Sequence, residues 1–251
     1  MKRIKICPVC NSKSDLLKLF SYKDRDSIHA NINLCIECRS LIPEYELDID
    51  YTKLENQTEF MNFALTLNEE NAKSLVEGYL GVIDFYSEYL EEVRSEGRIC
   101  EVGFGRGSLI MGLKERGFDI IGCDPSKYLV QQAKSIYNLQ DTEIRNTDLE
   151  GLEKYINNEN IPISACIMWH VLEHIPNSLS VFKTINRMLK KNGYFIFQIP
   201  LLQISQLHPD HLAFFTEASI DYLVKRTGFK VIRKDYDFER LFLSVIVQKQ
   251  R

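Results

Sequence analysis

Four of the seven cysteines fall near the N-terminus as two close pairs, Cys7-Pro8-Val9-Cys10 and Cys35-Ile36-Glu37-Cys38, separated by a longer insert. Each Cys-x-x-Cys turn can aim two thiolates at one ion, and two such turns complete a closed tetrahedral S4 shell, the geometry of structural zinc. A redox pair would need only one such motif, placed where a strand runs into a helix. The pattern therefore predicts Zn2+ held by Cys7, Cys10, Cys35 and Cys38, and in so short a segment the metal would supply most of the folding energy. Cys100, Cys123 and Cys166 sit instead in apolar, strand-like runs, where a reduced cysteine acts as a small core hydrophobe.

A second group of residues is built to hold a ligand. Glu101-Val102-Gly103-Phe104-Gly105-Arg106-Gly107-Ser108 follows a short apolar run and opens a helix. Glycines there let the backbone turn tightly and approach a ligand, and the helix N-terminus offers outward N–H groups. A dinucleotide loop would have its third glycine at 108, where this chain has Ser, and would not require an acid at 101. The spacing favours a different adenosyl cofactor. The next apolar run ends in Asp124, a carboxylate at a strand tip that can accept both hydrogen bonds of a ribose diol. Asn146-Thr147-Asp148 brings a third carboxylate after the following strand; Asp148 suits either an adenine amino group or the N-cap of the next helix.

A third group lies in the segment from Leu201 to Phe215, which holds Gln203, Gln206, His208, Asp210 and His211. It follows a strand, and ligands of open α/β sheets bind outside the strands' carboxyl ends. A histidine is neutral near physiological pH and can take a proton there. His211, oriented by Asp210 or a nearby acceptor, is the expected general base, with His208 next in line. The competing assignment is that His211 orders the loop. His170 and His174 are expected to satisfy backbone groups, with His170 also able to reach the cofactor face. Their i, i+4 spacing does not predict a metal site, because the metalloprotease pattern has Glu directly after the first His and this chain has Val171.

The elements that must position these groups can be read from periodicity. Strands are expected at Arg98–Val102, Asp119–Cys123, Glu143–Arg145, Ala165–Met168, Tyr194–Gln198, Phe229–Lys234 and Phe242–Gln248, with helices starting near Ser108, Ser126, Asn177 and Thr216. Such alternation implies βαβ units and an α/β fold: a Rossmann-like, mostly parallel seven-stranded sheet with an antiparallel C-terminal edge hairpin. Lys190-Lys191-Asn192-Gly193 and Gly228 are expected helix stops. Leu75, Tyr79, Val82, Ile83, Tyr86, Leu90 and Val93 recur at helical spacing upstream. The domain reading is a zinc-ribbon-like module over 1–45, a helical linker or substrate cap over 46–95, and the catalytic domain over 96–251.

The order of these motifs, closing with Trp169-His170-Val171-Leu172-Glu173-His174-Ile175-Pro176 after the fourth strand, resembles class I S-adenosylmethionine-dependent methyltransferases of the small-molecule branch. The resemblance covers roughly residues 70 to 249. It implies S-adenosyl-L-methionine as cofactor, with Glu101 facing the methionine amino group, Gly103, Gly105 and Gly107 lining its backbone, Asp124 on the ribose and Asp148 on the adenine. One departure is Ser164-Ala165, where relatives often carry an Asp at the entry to the fourth strand. His208-Pro209-Asp210-His211-Leu212-Ala213-Phe214-Phe215-Thr216 resembles the HEHLxYFS segment of zinc-containing sugar C-methyltransferases, in which a Glu-His pair does acid–base work. By that likeness Asp210 and His211 form the pair. That family carries a further C-terminal domain, and here the catalytic core is expected to end the chain.

Composition bounds the acceptor. Hydrophobic residues make up 45% and charged residues 26%, with a net charge of −4, so the whole molecule has no attraction for a polyphosphate backbone. A small-molecule acceptor, a glycan precursor, sugar or other metabolite, is expected over nucleic acid. Two rivals remain open: an RNA methyltransferase whose basic N-terminal module, with Lys2, Arg3, Lys5, Lys13, Lys18, Lys23, Arg25 and Arg39, reads the nucleic acid, and a non-catalytic cofactor-binding partner of another enzyme. No signal peptide or membrane span is expected, which predicts a cytoplasmic protein.

Overall fold

The structure, a computed structural model, describes residues 5–14, 16–23, 29–46 and 68–250. Most of the expected linker segment upstream of residue 68, and the basic residues Lys2, Arg3 and Arg25, lie outside the described residues. By their contacts the described residues sort into two bodies, one drawn from 1–57, 170–183 and 197–247, the other from 58–169, 184–196 and 248–251.

A seven-stranded sheet is the organising element. Its strands are β6 (Arg98–Val102), β7 (Ile120–Asp124), β8 (Ile144–Asn146), β9 (Ile163–Trp169), β10 (Leu189–Pro200), β11 (Phe229–Tyr236) and β12 (Phe242–Lys249), in the order β11-β12-β10-β9-β6-β7-β8. β6 pairs in parallel with β7, Glu101 opposite Gly122, and with β9, Cys100 opposite Cys166. All five residues of β7 and four of the five in β6 are buried, which is why these strands read as continuous apolar runs with no alternation. Strand order reverses at β6 and β9, the topological switch point at which open α/β sheets hold their ligands. The C-terminal strands are antiparallel, as expected.

In the second body the helices that frame this centre are α1 (Glu69–Phe85), α2 (Ser87–Glu92), α3 (Ser108–Glu115), α4 (Lys127–Tyr137) and α5 (Leu149–Asn158). α1 starts on a reciprocal capping box between Asn68 and Asn71. Its row Val76, Ile83, Tyr86, continued by Leu90 and Val93, is buried, so the helical spacing marks a core face. α5 is the helix that the capping alternative for Asp148 implied: Asp148 is its N-cap, and Oδ1 accepts from Gly151 N at 2.8 Å.

One helix stop differs from expectation. α6 (Ser178–Met188) ends two residues before Lys190, and β10 begins at once with Leu189. The left-handed residue of the tetrapeptide is Asn192, with φ 63°. Gly193 answers a different need: a Cβ there would stand 2.7 Å from the Ser164 carbonyl oxygen of β9, so only glycine lets the two backbones meet. Gly228 does what the sequence implies, closing α7 (Glu217–Thr227) at φ 76° with its N–H donated to Val224 O.

The first body includes the N-terminal module, a hairpin of β1 (Lys5–Ile6) with β2 (Lys13–Ser14) and a three-stranded antiparallel sheet of β3 (Leu16–Lys23), β4 (His29–Cys35) and β5 (Leu41–Glu46). This module is not separate from the segment after β10. Leu41 and Phe214 exchange backbone hydrogen bonds at 2.9 and 2.8 Å. Ala30 and Ile32 of β4 share a core with Leu207 and Phe214, against which Leu202, Leu41 and Tyr45 pack. The Pro8 and Val9 carbonyls accept from Ser178 and Leu179 at the start of α6.

Candidate active site

The glycine loop leaves β6 with Gly103, Gly105 and Gly107 at φ 72°, 53° and 78°, and Gly107 is the N-cap of α3. At Gly105 the left-handed backbone coincides with open space: a Cβ built there would meet nothing within 4 Å. Glu101, 3% exposed, points an Oε2 that has no hydrogen-bond partner among the described residues. Burial, then the charge of Asp124, raises its carboxyl well above the usual range. An orphaned buried carboxylate oxygen beside an open glycine fits a ligand that brings an ammonium group. Asp124 ends β7 6% exposed; its Oδ2 accepts from Gly105 N at 3.0 Å and its Oδ1 from Ser126 N at 2.8 Å. These bonds lock the carboxylate to the loop and occupy one lone pair on each oxygen. Each keeps another that can accept from a ligand hydroxyl. Tyr79 of α1 joins this group: burial and the charge of Glu101 both raise its phenol.

The four N-terminal cysteines are brought together. All are buried, and their sulfur atoms lie within 4.8 Å of one another, Cys7 to Cys38 at 3.7 Å and Cys10 to Cys35 at 3.8 Å. Thiolates about 2.3 Å from one tetrahedral ion stand about 3.8 Å apart, so the cluster has the spacing of a zinc shell with no disulfide. The two turns are built alike. Asn11 and Arg39, the residues after each pair, are left-handed at φ 59° and 67°, and each donates its N–H to the first cysteine's carbonyl, Cys7 or Cys35.

The third group is assembled from two segments of the first body. Glu173 and His174 sit in a 3-10 turn over Leu172–His174, and the Glu173 carbonyl accepts from Leu212 N at 2.9 Å. His211 Nδ1 lies 2.8 Å from Gln206 O, so the nearby acceptor that orients it is a backbone carbonyl and not Asp210. Asp210 pairs with His208 through Oδ1, which raises the His208 imidazole, and its Oδ2 lies 3.4 Å from His174 Nδ1. His174 and His211 meet edge to face with ring centroids 4.9 Å apart. Burial holds His211 below its ordinary value, and it pushes the neighbouring His170 down to about 4. The structure places His170, left-handed at φ 56°, edge-on against Phe242 at 4.7 Å, with Nδ1 3.9 Å from Glu173 Oε1.

Residues 77–234 match the family model described as "Methyltransferase domain", well over half of the chain. The chain belongs to that family. Among curated proteins it is similar to the ubiquinone biosynthesis O-methyltransferase of Alkalilimnicola ehrlichii, 29% identical over 100 residues, 40% of each chain. The curated relatives it matches are covered over 34–58% of their own length. Among solved structures, a SAM-dependent methyltransferase from Archaeoglobus fulgidus superposes with a TM-score of 0.57 at 12% identity, covering 76% of this chain and 99% of that one. Magnesium protoporphyrin IX methyltransferase from Synechocystis PCC 6803 with bound SAH gives 0.55 at 17% identity, covering 80% and 97%. At such identities these likenesses establish the fold.

Sequence reasoning missed three contributors. Tyr79 was hidden in an apolar row whose spacing it shares with core residues. Glu173 was visible only as part of the Leu172-Glu173-His174 motif, and His174 only as a histidine that satisfies a backbone group, as its Nδ1 does at Asp210 O; their convergence with His211 needed the loop after β10 to fold back. Among the described residues no helix is long and apolar enough to cross a membrane.

Proposed function

We propose that this chain transfers the methyl group of S-adenosylmethionine to a small-molecule acceptor. The observation that carries the reading is the unpartnered Oε2 of buried Glu101 beside the open, left-handed Gly105 and the loop-locked Asp124. Glu101 would take the methionine ammonium, Gly103, Gly105 and Gly107 would line its backbone, Asp124 would accept from the ribose, and Asp148 would combine its capping bond with an adenine contact. His170 is a further candidate on the cofactor face. When bound, the cofactor supplies a methyl group already activated on a sulfonium.

On the acceptor side His211 is the base, with Asp210 and His208 beside it. Its Nδ1 proton is spent on the Gln206 carbonyl, which leaves the Nε2 lone pair for the acceptor's proton. As the methyl group is transferred, the His211 imidazole would take the acceptor's proton at Nε2. Cys7, Cys10, Cys35 and Cys38 would hold one structural zinc, with no part in the transfer.

Calorimetry with S-adenosylmethionine and S-adenosylhomocysteine, followed by labelled methyl transfer into a metabolite extract, tests the reading. Folded protein that binds neither compound refutes it. Once an acceptor is found, His211→Ala and His211→Asn should lower turnover by about 10²–10⁴-fold with cofactor affinity little changed; near-normal turnover in both removes His211 from the reaction.

A further inference from the structure

Glu173 is a carboxylate with 1% exposure in a chain that gives its Oε2 no hydrogen-bond partner among the described residues. A carboxylate so placed either stays protonated or meets a positive charge. Two imidazoles stand where that charge would be held. His174 Nε2 lies 3.8 Å from Glu173 Oε1, and one ligating atom each from Glu173, His174 and His211 falls within 4.8 Å of the others.

The outer hydrogen bonds set both rings for ligation. A carbonyl oxygen only accepts, so the contacts of His174 Nδ1 with Asp210 O at 3.1 Å and of His211 Nδ1 with Gln206 O at 2.8 Å make both Nδ1 atoms donors. Both Nε2 atoms then carry lone pairs. A ligating histidine commonly donates its other N–H to a carbonyl or carboxylate in this way, and the Asp210 carboxylate adds its charge beside His174 Nδ1 at 3.4 Å.

We propose that Glu173, His174 and His211 bind one divalent transition cation, at a centre of its own apart from the four cysteines. Two imidazoles and one carboxylate suit Mn2+, Fe2+, Co2+ or Zn2+ over Mg2+ and Ca2+, which take mainly oxygen ligands. Ligands about 2.1 Å from a common ion stand about 3.0–3.4 Å apart, so atoms that now lie within 4.8 Å of one another need close by no more than about 1.4–1.8 Å; the two imidazoles, part-exposed on a turn and a loop, have the freedom to do so. Three protein ligands leave open positions, which fit an oxygen acceptor whose hydroxyl loses its proton more easily once ligated. The inference rests on the methyltransferase reading for what the ion would act on, and it changes one assignment there. With the ion bound, the Nε2 lone pair of His211 is a ligand, and the proton of the ligated hydroxyl leaves to water.

Mn2+ is the probe, because it has little affinity for a thiolate shell already filled by zinc. Titration of the full chain, followed by the electron paramagnetic resonance signal of free Mn2+, should show about one bound ion per chain. His174→Ala, His211→Ala and Glu173→Gln should each weaken binding by at least the roughly 10–100-fold that loss of an outer partner costs. His29→Ala, in the N-terminal sheet, should leave it unchanged. If Glu173→Gln does not fold, the two part-exposed histidines still decide the matter. Wild-type protein that leaves Mn2+ free at millimolar concentration, or histidine variants that bind as wild type does, overturns the proposal and makes Glu173 a neutral buried acid. S-adenosylmethionine affinity measured before Mn2+ is added separates the two readings: cofactor binding without Mn2+ binding sinks only the cation, and loss of cofactor binding sinks the methyltransferase reading.

Discussion

Replacing Gly105 by Ala separates a glycine kept for its backbone from one kept for its ligand. At φ 53° any side chain strains the backbone, and a left-handed residue with a Cβ costs about 1–2 kcal/mol. Nothing stands within 4 Å of the added carbon, so no steric term joins that cost. For a domain of this size about 1 kcal/mol moves Tm by about 2–4 °C, so the ligand-free variant should melt about 2–8 °C lower and remain folded. With S-adenosylmethionine present the same open space would be filled, and forcing a methyl group into a filled space costs about 1–3 kcal/mol. That is a rise in Kd of roughly 5–150-fold, and Gly105→Val should lie beyond it. The control is Gly81→Ala on the exposed face of α1, where an added Cβ also meets nothing, but in a helix that gains from alanine. Scanning calorimetry gives the first number and titration calorimetry the second. A folded Gly105→Ala variant with wild-type affinity for S-adenosylmethionine would refute the placement of the ligand against this loop.

Asp148→Ala should lose an N-cap and about 1 kcal/mol of stability, read as a fall in Tm of about 2–4 °C; an additional fall in cofactor affinity would mark an adenine contact, and none would leave it a cap alone. Burial raises Glu101 and Asp124 above the usual carboxylate range, and a bound cation would lower both again. Binding of S-adenosylmethionine should therefore release protons and tighten as pH rises above the ordinary carboxylate range, checked by titrations in buffers of different ionisation enthalpy; proton uptake would show the sign to be wrong. Elemental analysis of protein purified without chelator should give about one zinc per chain, and Cys10→Ser should lower it and loosen the N-terminal sheet; a metal-free chain with four titratable thiols would overturn the cluster's zinc assignment.

How much of this was legible depended on whether a feature was local. Buried parallel strands announce themselves as short apolar runs, and the left-handed turns at Gly103, Gly105 and Gly107 are a local property of the loop between β6 and α3, so the sheet and the course of that loop could be read directly. So could Gly228, which needs only its own helix. The end of α6 was misplaced because Lys190-Lys191-Asn192-Gly193 has the residues of a helix stop, while Gly193 is there for the Ser164 carbonyl of β9, a strand on the far side of α6 in the sequence. Local chemistry and a long-range approach gave the same letters.

The histidine cluster shows the same limit from the other side. Asp210 and His211 are adjacent, and adjacency suggested a pair. Backbone geometry makes neighbouring side chains in a loop diverge, and here Asp210 turns to His208 and His174 while His211 turns to Gln206. What unites Glu173, His174 and His211 is the Leu212 N–H bond to the Glu173 carbonyl, together with the core that Leu207 and Phe214 share with Ala30 and Ile32. The cysteine cluster ties the turn that ends β4 to the turn between β1 and β2, and β4 supplies that core. Metal binding at the far N-terminal end of the sequence would therefore help set the spacing of imidazoles on the loop, which gives a closed, non-reactive S4 site a physical route to the cluster of Glu173, His174 and His211.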